Sequence, residues 1–300
     1  MESLTVSIQE LVQWYDKAKQ EAIAAEISPS EVDWLLQEVA GLNKLSLRLG
    51  SSQARALILL QQPLSVLTQL WQQRLRDRTP VQYLAGIAHW RHFSLKVAPG
   101  VLIPRPETEI IVDLALNAIQ NSPNLELASG NWVDLGTGSG AIALGLAKIL
   151  TKATIYAVDI SDEALAIARQ NAIALGLAER INFYQGSWWS PLETLKGQVS
   201  GMVSNPPYIP TNAIAELQPE VAQHEPHLAL DGGSDGLDCI RHLVTLAPDY
   251  LVCGGIWLIE IMAGQAEQVV RLLQEKGCYD KIQIFTDLAG IERFALAYRG

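Results

Sequence analysis

Cysteine is scarce in this chain. Its three copies, Cys239, Cys253 and Cys278, are odd in number, widely spaced, and form no C-x-x-C pair. That pattern excludes a disulfide framework and a cysteine zinc site, and it fits the reducing cytoplasm. Long hydrophobic runs are missing too, so no stretch is expected to span a membrane. The first residues, Met1-Glu-Ser-Leu-Thr-Val6, lack the basic segment and apolar core of a secretory signal. There is no internal repeat and no low-complexity tract. Basic charge is short in one region only. Of the 22 Lys+Arg and 32 Asp+Glu, nine of each fall in residues 1–95, so the net charge of −10 sits in the remainder. A duplex-binding enzyme carries a basic footprint near its site, and this acidic remainder argues against stable nucleic-acid binding.

What is present is enough for a substantial core: 300 residues, 49% of them hydrophobic, suggest one large or two moderate domains. Residues 1–78 read as a small helical domain. Leu4, Ile8, Leu11, Val12, Tyr15, Ala18 and Ala22 follow helical periodicity. Ser28-Pro29-Ser30-Glu31 has the spacing of a capping box with Pro at the first helical position, and Gly41 stops that helix. Two more helices are expected over 52–62 and 64–77, broken near Pro63. Arg74, Arg76 and Arg78 read as a solvated helix end.

Residues 79–103 are expected to form a connecting hairpin, with Val81–Ala85 as one arm and Phe93–Val97 as the other across a glycine-containing turn. His89-Trp90-Arg91-His92 then falls on the hairpin surface. Residues 104–300 are expected to form the larger domain, and from Glu107 onward strands and helices alternate, which predicts a parallel sheet covered on both faces. The expected strands are 132–135, 153–159, 181–184, 199–204, 255–260, 281–286 and 293–298.

Chemistry concentrates at the carboxyl ends of three of these strands. Asp134-Leu-Gly136-Thr137-Gly138-Ser139-Gly140 lies between a strand and a helix, where glycines permit a sharp turn and close approach of a ligand to backbone. The following helix offers free N–H groups and a positive dipole end. Asp159 ends the next strand nineteen residues past Gly140, at the spacing where an acid grips a ribose hydroxyl pair. The spacing is G-x-G-x-G rather than G-x-G-x-x-G, which departs from the nicotinamide fingerprint. Asn205-Pro206-Pro207-Tyr208 follows the apolar run Val199–Val203. Two prolines stiffen that corner and remove N–H donors, leaving the Asn side chain and backbone carbonyls as acceptors. A planar nitrogen bearing two N–H groups suits such a corner, and a phosphate does not.

With these residues the chain resembles a class I S-adenosylmethionine-dependent methyltransferase, and more narrowly the HemK/PrmC family of protein-(glutamine-N5) methyltransferases. The resemblance runs from about Arg78 to the C-terminus. It rests on Pro80-Val-Gln-Tyr83-Leu-Ala-Gly86, Leu102-Ile-Pro104-Arg105-Pro106-Glu107-Thr108-Glu109, the glycine turn, Asn205 to Pro210, Glu225-Pro226, Asp235-Gly236-Leu237 and Asp287…Gly290…Arg293. Ile103–Glu109 is the most family-specific of these. The resemblance implies a Rossmann-like seven-stranded sheet with its last strand antiparallel, a small N-terminal helical domain that docks the substrate, and S-adenosyl-L-methionine as cofactor. It implies a substrate too: the Gln of the Gly-Gly-Gln motif in peptide chain release factors. A ribosomal-protein glutamine and an exocyclic amine of adenine or guanine remain alternatives, since an exocyclic amine is also a conjugated planar nitrogen.

The expected cofactor residues are Gly136, Thr137, Gly138, Ser139, Gly140, Asp159, Trp188 and Asn205. Asn205 and the Pro206 carbonyl are expected to accept from the target amide, Tyr208 to pack against it, and Pro207 and Arg105 to contact the substrate. Arg105 is otherwise expected to pair with Glu107 or Glu109. Two departures from the family pattern affect the cofactor side: Ser187 stands before Trp188 where an Asp is usual, and Met262 stands where a Gly is usual. His224-Glu225-Pro226-His227 lacks the H-E-x-x-H spacing, Pro226 interrupts a helix there, and no third ligand is apparent, so no metal site is expected. Glu225-Pro226 is expected to shape a substrate loop.

Overall fold

The computed structural model describes residues 3–42 and 57–300. These divide into two compact units. Residues 1–87 together with 219–224 form the first, and residues 88–218 with 225–300 form the second.

The first unit is mostly helical. Its chain opens with a short strand, β1 (Thr5–Ser7), paired antiparallel with β2 (Leu57–Leu59). The helical periodicity anticipated from Leu4 therefore begins at Ile8, in the helix Ile8–Ala24. Ser7 caps that helix. Its hydroxyl accepts from the Glu10 amide while the Glu10 carboxylate accepts from the Ser7 amide, a full capping box. The box expected at Ser28–Glu31 does not form, because Glu31 is drawn to Arg74. Of the helix expected over 52–62, residues 52–56 lie outside the described residues and Leu57–Leu59 is strand. Helices Ser30–Glu38 and Leu64–Asp77 pack Val32, Leu35, Leu36, Leu67 and Trp71 against Leu11, Ala18 and Ala22.

Arg74, 3% exposed, is not the solvated residue expected of that helix end. It makes two bonds to Glu31, one of 3.0 Å, and an ion pair of 2.8 Å with Glu220. Arg78 meets the same Glu220 at 2.8 Å, and His224 Nε2 lies 2.6 Å from the Asp77 carbonyl. Glu220 and His224 belong to the helix Pro219–His224. A charge as buried as Arg74 is tolerable only with such partners.

Val81–Ala85, expected as a strand, is one helical turn. Pro80 precedes it, and Gly86 closes it in the left-handed region at φ 72°. The hairpin is formed instead by β3 (Ile87–Trp90) and β4 (Phe93–Lys96), with Arg91 at φ 53° in the turn. Trp90 is buried rather than on the surface, and its indole N–H donates to the Arg105 carbonyl at 3.0 Å. Arg91 binds both oxygens of Asp113 at 2.8 and 2.9 Å.

The second unit is built on a seven-stranded sheet: β5 (Asn131–Leu135), β6 (Thr154–Asp159), β7 (Ile181–Gln185), β8 (Val199–Ser204), β9 (Leu251–Glu260), β10 (Tyr279–Thr286) and β11 (Glu292–Arg299). Its order is β10-β11-β9-β8-β5-β6-β7, with β11 antiparallel to both neighbours. Pairs β5–β6, β5–β8, β6–β7 and β8–β9 are parallel. Successive residues serve opposite faces. Trp132 joins Ile111, Val112, Leu144 and Phe294 on one side, and Val133 joins Met202, Leu243, Trp257 and Val269 on the other. Two apolar layers of this kind explain why β8 is buried along its whole length. They also set the site, because β5, β6, β8 and β9 all release their chains at the same carboxyl edge.

Candidate active site

The strand order reverses around β5, since β6 lies on one side and β8 on the other. Beyond those strand ends lies a cavity of about 320 Å³, a size suited to a small ligand. Its wall brings together Gly136, Thr137, Gly138, Ser139, Asp159, Ser187, Trp188, Asn205, Pro207 and Arg105. Gly140 is not part of that wall. Neither are Pro206, which is buried, or Tyr208.

The glycine turn is tied to the neighbouring strand. Gly136 and Thr137 amides both donate to the Val158 carbonyl, at 2.8 and 2.9 Å. Gly136, Gly138 and Gly140 have φ of 77°, 56° and 86°, conformations that side chains resist. At Gly140 a Cβ would also stand 3.1 Å from Ala168 Cβ. The helix Ala141–Ile149 then starts with Ala141 and Ile142 on the cavity wall.

Two acids flank the turn. Asp134 is fully buried; Oδ2 accepts from the Thr137 hydroxyl at 2.6 Å and the Ala143 amide at 3.0 Å. Its Oδ1 has no partner among the described residues. Burial pushes this carboxyl up to about 7, despite those two bonds. Asp159 Oδ2 accepts from the Gly138 amide at 2.8 Å and Oδ1 from the Ser161 amide at 2.9 Å. Burial raises it as well. Each Asp159 oxygen thus keeps acceptor capacity for a further donor.

The adjacent tryptophans separate. Trp189 is buried and stacked on Tyr250, ring centroids 4.3 Å apart. Trp188, at φ 52°, turns to the cavity, and its ring edge would lie 3.7 Å from a Cβ on Gly136. Ser187 sits beside it on the wall. Met262 is not part of the wall; its amide donates to Gln265 Oε1 at 3.0 Å.

At the Asn205 corner the structure adds three residues to which sequence reasoning assigned no role. Asn205 Nδ2 lies 3.3 Å from Thr108 Oγ1, and the Thr108 hydroxyl donates to Glu260 Oε2 at 2.6 Å. The Tyr208 hydroxyl donates to Glu260 Oε1 at 3.0 Å, which anchors the ring by its edge. A buried phenol requires a partner, and Glu260 provides it. Burial and the Glu260 charge hold Tyr208 well above the ordinary phenol range. Burial also raises Glu260. Gln265 donates to the carbonyls of Tyr208 at 3.0 Å and Gly236 at 3.2 Å. A Cβ on Gly236 would sit 2.3 Å from the Tyr208 carbonyl oxygen, which explains the glycine. The one sequence signal for Glu260 is a charge closing the apolar run Ile256–Ile259.

Arg105 pairs with neither Glu107 nor Glu109. Its guanidinium reaches Glu225 Oε1 at 2.7 Å, 120 residues away, and the Ile103 carbonyl at 3.0 Å. Glu225 is buried, and burial raises its carboxyl against the pull of Arg105. With Glu225 so engaged, Pro226, Leu228 and Ala229 border the cavity. Among the described residues no cluster of three His, Cys, Asp or Glu side chains is placed to hold a metal, and no helix is long and apolar enough to cross a membrane.

A methyltransferase small domain model matches residues 111–233. The chain is 52% identical over 292 residues to the release factor glutamine methyltransferase of Synechocystis sp., covering 97% of both chains. It is 47% identical to that of Thermosynechococcus vestitus over 89% of this chain and 90% of the relative, and 45% identical to that of Gloeobacter violaceus over 95% and 96%. The catalytic domain of hMettl16 in complex with MAT2A 3'UTR hairpin 6 shares the fold, with a TM-score of 0.54 at 14% identity over 82% of this chain and 85% of that one. Identity near one half across nearly the full length, on a sheet edge where a glycine turn, an acid and Asn-Pro-Pro-Tyr meet, shows that the chain belongs to the release factor glutamine methyltransferase family.

Proposed function

We propose that this chain transfers a methyl group from S-adenosylmethionine to the side-chain amide nitrogen of the Gln in the Gly-Gly-Gln motif of peptide chain release factors. One observation carries the reading: Asn205 and Pro207 share a single cavity wall with the glycine turn, Asp159 and Trp188. The residues fit that cofactor. Asp159 has acceptor capacity for ribose hydroxyls, Trp188 and Ser187 border the space for adenine, and Gly136–Ser139 leave the backbone open to the amino-acid portion. When bound, the cofactor supplies an electrophilic methyl carbon on a sulfonium.

The protein's task is the acceptor. An amide nitrogen is a poor nucleophile because its lone pair is conjugated with the carbonyl; the peptide rotation barrier of roughly 18–20 kcal/mol sets the scale. Asn205 Oδ1 and the Pro206 carbonyl accept from the amide N–H bonds. That holds the nitrogen in line and favours the positive charge it gains. Pro207, Pro226 and Leu228 exclude water from the flat amide. Tyr208 braces Glu260 and acts through it. Arg105 orders the Glu225-Pro226 loop. The helical first unit docks the protein substrate, and the cytoplasm, where translation takes place, is the compartment this reading requires.

Incubation with labelled cofactor tests it against a release factor, the same factor with its motif Gln replaced by Ala, a ribosomal protein, and nucleic acid. Label on the intact release factor alone is expected. Label on nucleic acid, or on the Ala variant, overturns the reading.

A further inference from the structure

We propose that Thr108 and Glu260 are positioning residues that decide which end of the Asn205 carboxamide faces the target amide. The proposal rests on the reading of Asn205 as the acceptor in methyl transfer. It follows from counting hydrogens. Thr108 is 3% exposed and owns one hydroxyl hydrogen, which goes to Glu260 Oε2 at 2.6 Å. Toward Asn205, 3.3 Å away, Thr108 Oγ1 therefore presents only lone pairs. The carboxamide must turn its NH2 to Thr108, which leaves Oδ1 as the end available to a substrate N–H. A flipped Asn205 would set its oxygen against the Thr108 lone pairs and offer N–H donors to a substrate that itself brings N–H donors.

The direction of this chain depends on Glu260 being an acceptor at both oxygens. The carboxylate is 1% exposed and takes one hydroxyl on each oxygen, Thr108 on Oε2 and Tyr208 on Oε1. Burial raises this carboxyl, and the two hydroxyl donors together with Arg293 on the neighbouring β11 act against that rise. Three segments distant in sequence, ending at Thr108, Asn205-Tyr208 and Glu260, thus meet in one ordered relay. It also gives Tyr208 a role distinct from stacking, since its phenol completes the carboxylate that orients Thr108.

Two near-isosteric variants separate this role from packing. Thr108→Val keeps the shape and loses the hydroxyl, whereas Thr108→Ser loses a methyl group and keeps it. With a release factor as substrate, Thr108→Val should lower kcat about tenfold while KM for the release factor and Kd for S-adenosylmethionine stay within about twofold of the parent. Thr108→Ser should stay within about threefold in kcat. A purely structural role predicts the reverse order, and parental kcat in Thr108→Val overturns the relay. Asn205→Ala, run alongside, separates the layers. Its failure to slow transfer sinks the acceptor reading and the relay with it, whereas slow Asn205→Ala with fast Thr108→Val sinks the relay alone. Should Thr108→Val fail to fold, nitrogen-labelled parent protein decides. The Asn205 side-chain amide protons, assigned by their loss in Asn205→Asp, should show a nuclear Overhauser contact with the Thr108 methyl. Its absence overturns the relay.

Discussion

At the scale of single residues, the candidate site is a few polar groups held at fixed orientation. Asn205→Ala removes the acceptor we propose for the target nitrogen and is expected to lower kcat by about 10²-fold or more, as when a preorganised hydrogen-bonding group is removed elsewhere. Cofactor affinity should change little, and single-turnover assays with calorimetry check both. Asp134 supplies a pH prediction. Its carboxyl stands at about 7 in the folded chain against an ordinary 3.8, so the folded state holds this proton more tightly than the unfolded one. The contribution is therefore full below about pH 4 and is lost as pH rises through 7. Asp134→Asn retains an acceptor for Thr137 and Ala143 without the charge. In ligand-free protein its thermal midpoint should match or exceed the parent's at pH 8, with the difference shrinking toward pH 5. Asn205, Asp159 and Trp188 were legible as residue types at fixed offsets from strands. Thr108, Glu260 and Gln265 were not, because their meaning lies in partners as many as 152 residues away.

Elements were legible where one periodicity ran long enough to dominate. β8 is bounded as expected, and the remaining sheet strands fall where the apolar runs lie, with ends differing by a few residues. Short segments went astray. Val81–Ala85 has a strand-like apolar mix, yet Pro80 before it and left-handed Gly86 after it make a helical turn. Leu57–Leu59 is too short to declare a period and becomes a strand only because β1 is there to pair with it. The glycine turn behaves as an element in its own right. Gly140→Ala forces a side chain onto φ 86° and against Ala168, with strain of about 1–2 kcal/mol for the backbone alone. The expected outcome is a lower thermal midpoint and at least tenfold weaker S-adenosylmethionine binding by calorimetry, because the amides of the turn move.

For the whole molecule, alternation of strands and helices made the seven-stranded sheet readable, and composition separated a neutral start from an acidic remainder. What local patterns do not carry is the path of 219–224, a helix that leaves the second unit's chain to join the first. Its place depends on Arg74 and Arg78 meeting Glu220, a contact across more than a hundred residues. Arg74→Ala leaves Glu31 without its counter-charge and Glu220 with Arg78 alone, and should cost about 3 kcal/mol of stability in denaturant unfolding, the low end for a broken buried pair. Transfer to a release factor should fall further than S-adenosylmethionine binding does. An unchanged midpoint would show that those carboxylates find other partners.

That excursion has a genealogical corollary. The chain passes between its two units three times, at 87/88, 218/219 and 224/225. Recombination that exchanges a leading gene segment would bring a foreign helical unit and leave the six-residue piece behind, mismatched to its new host. An intact exchange of the helical unit therefore needs two separate segments, 1–87 and 219–224, to travel together.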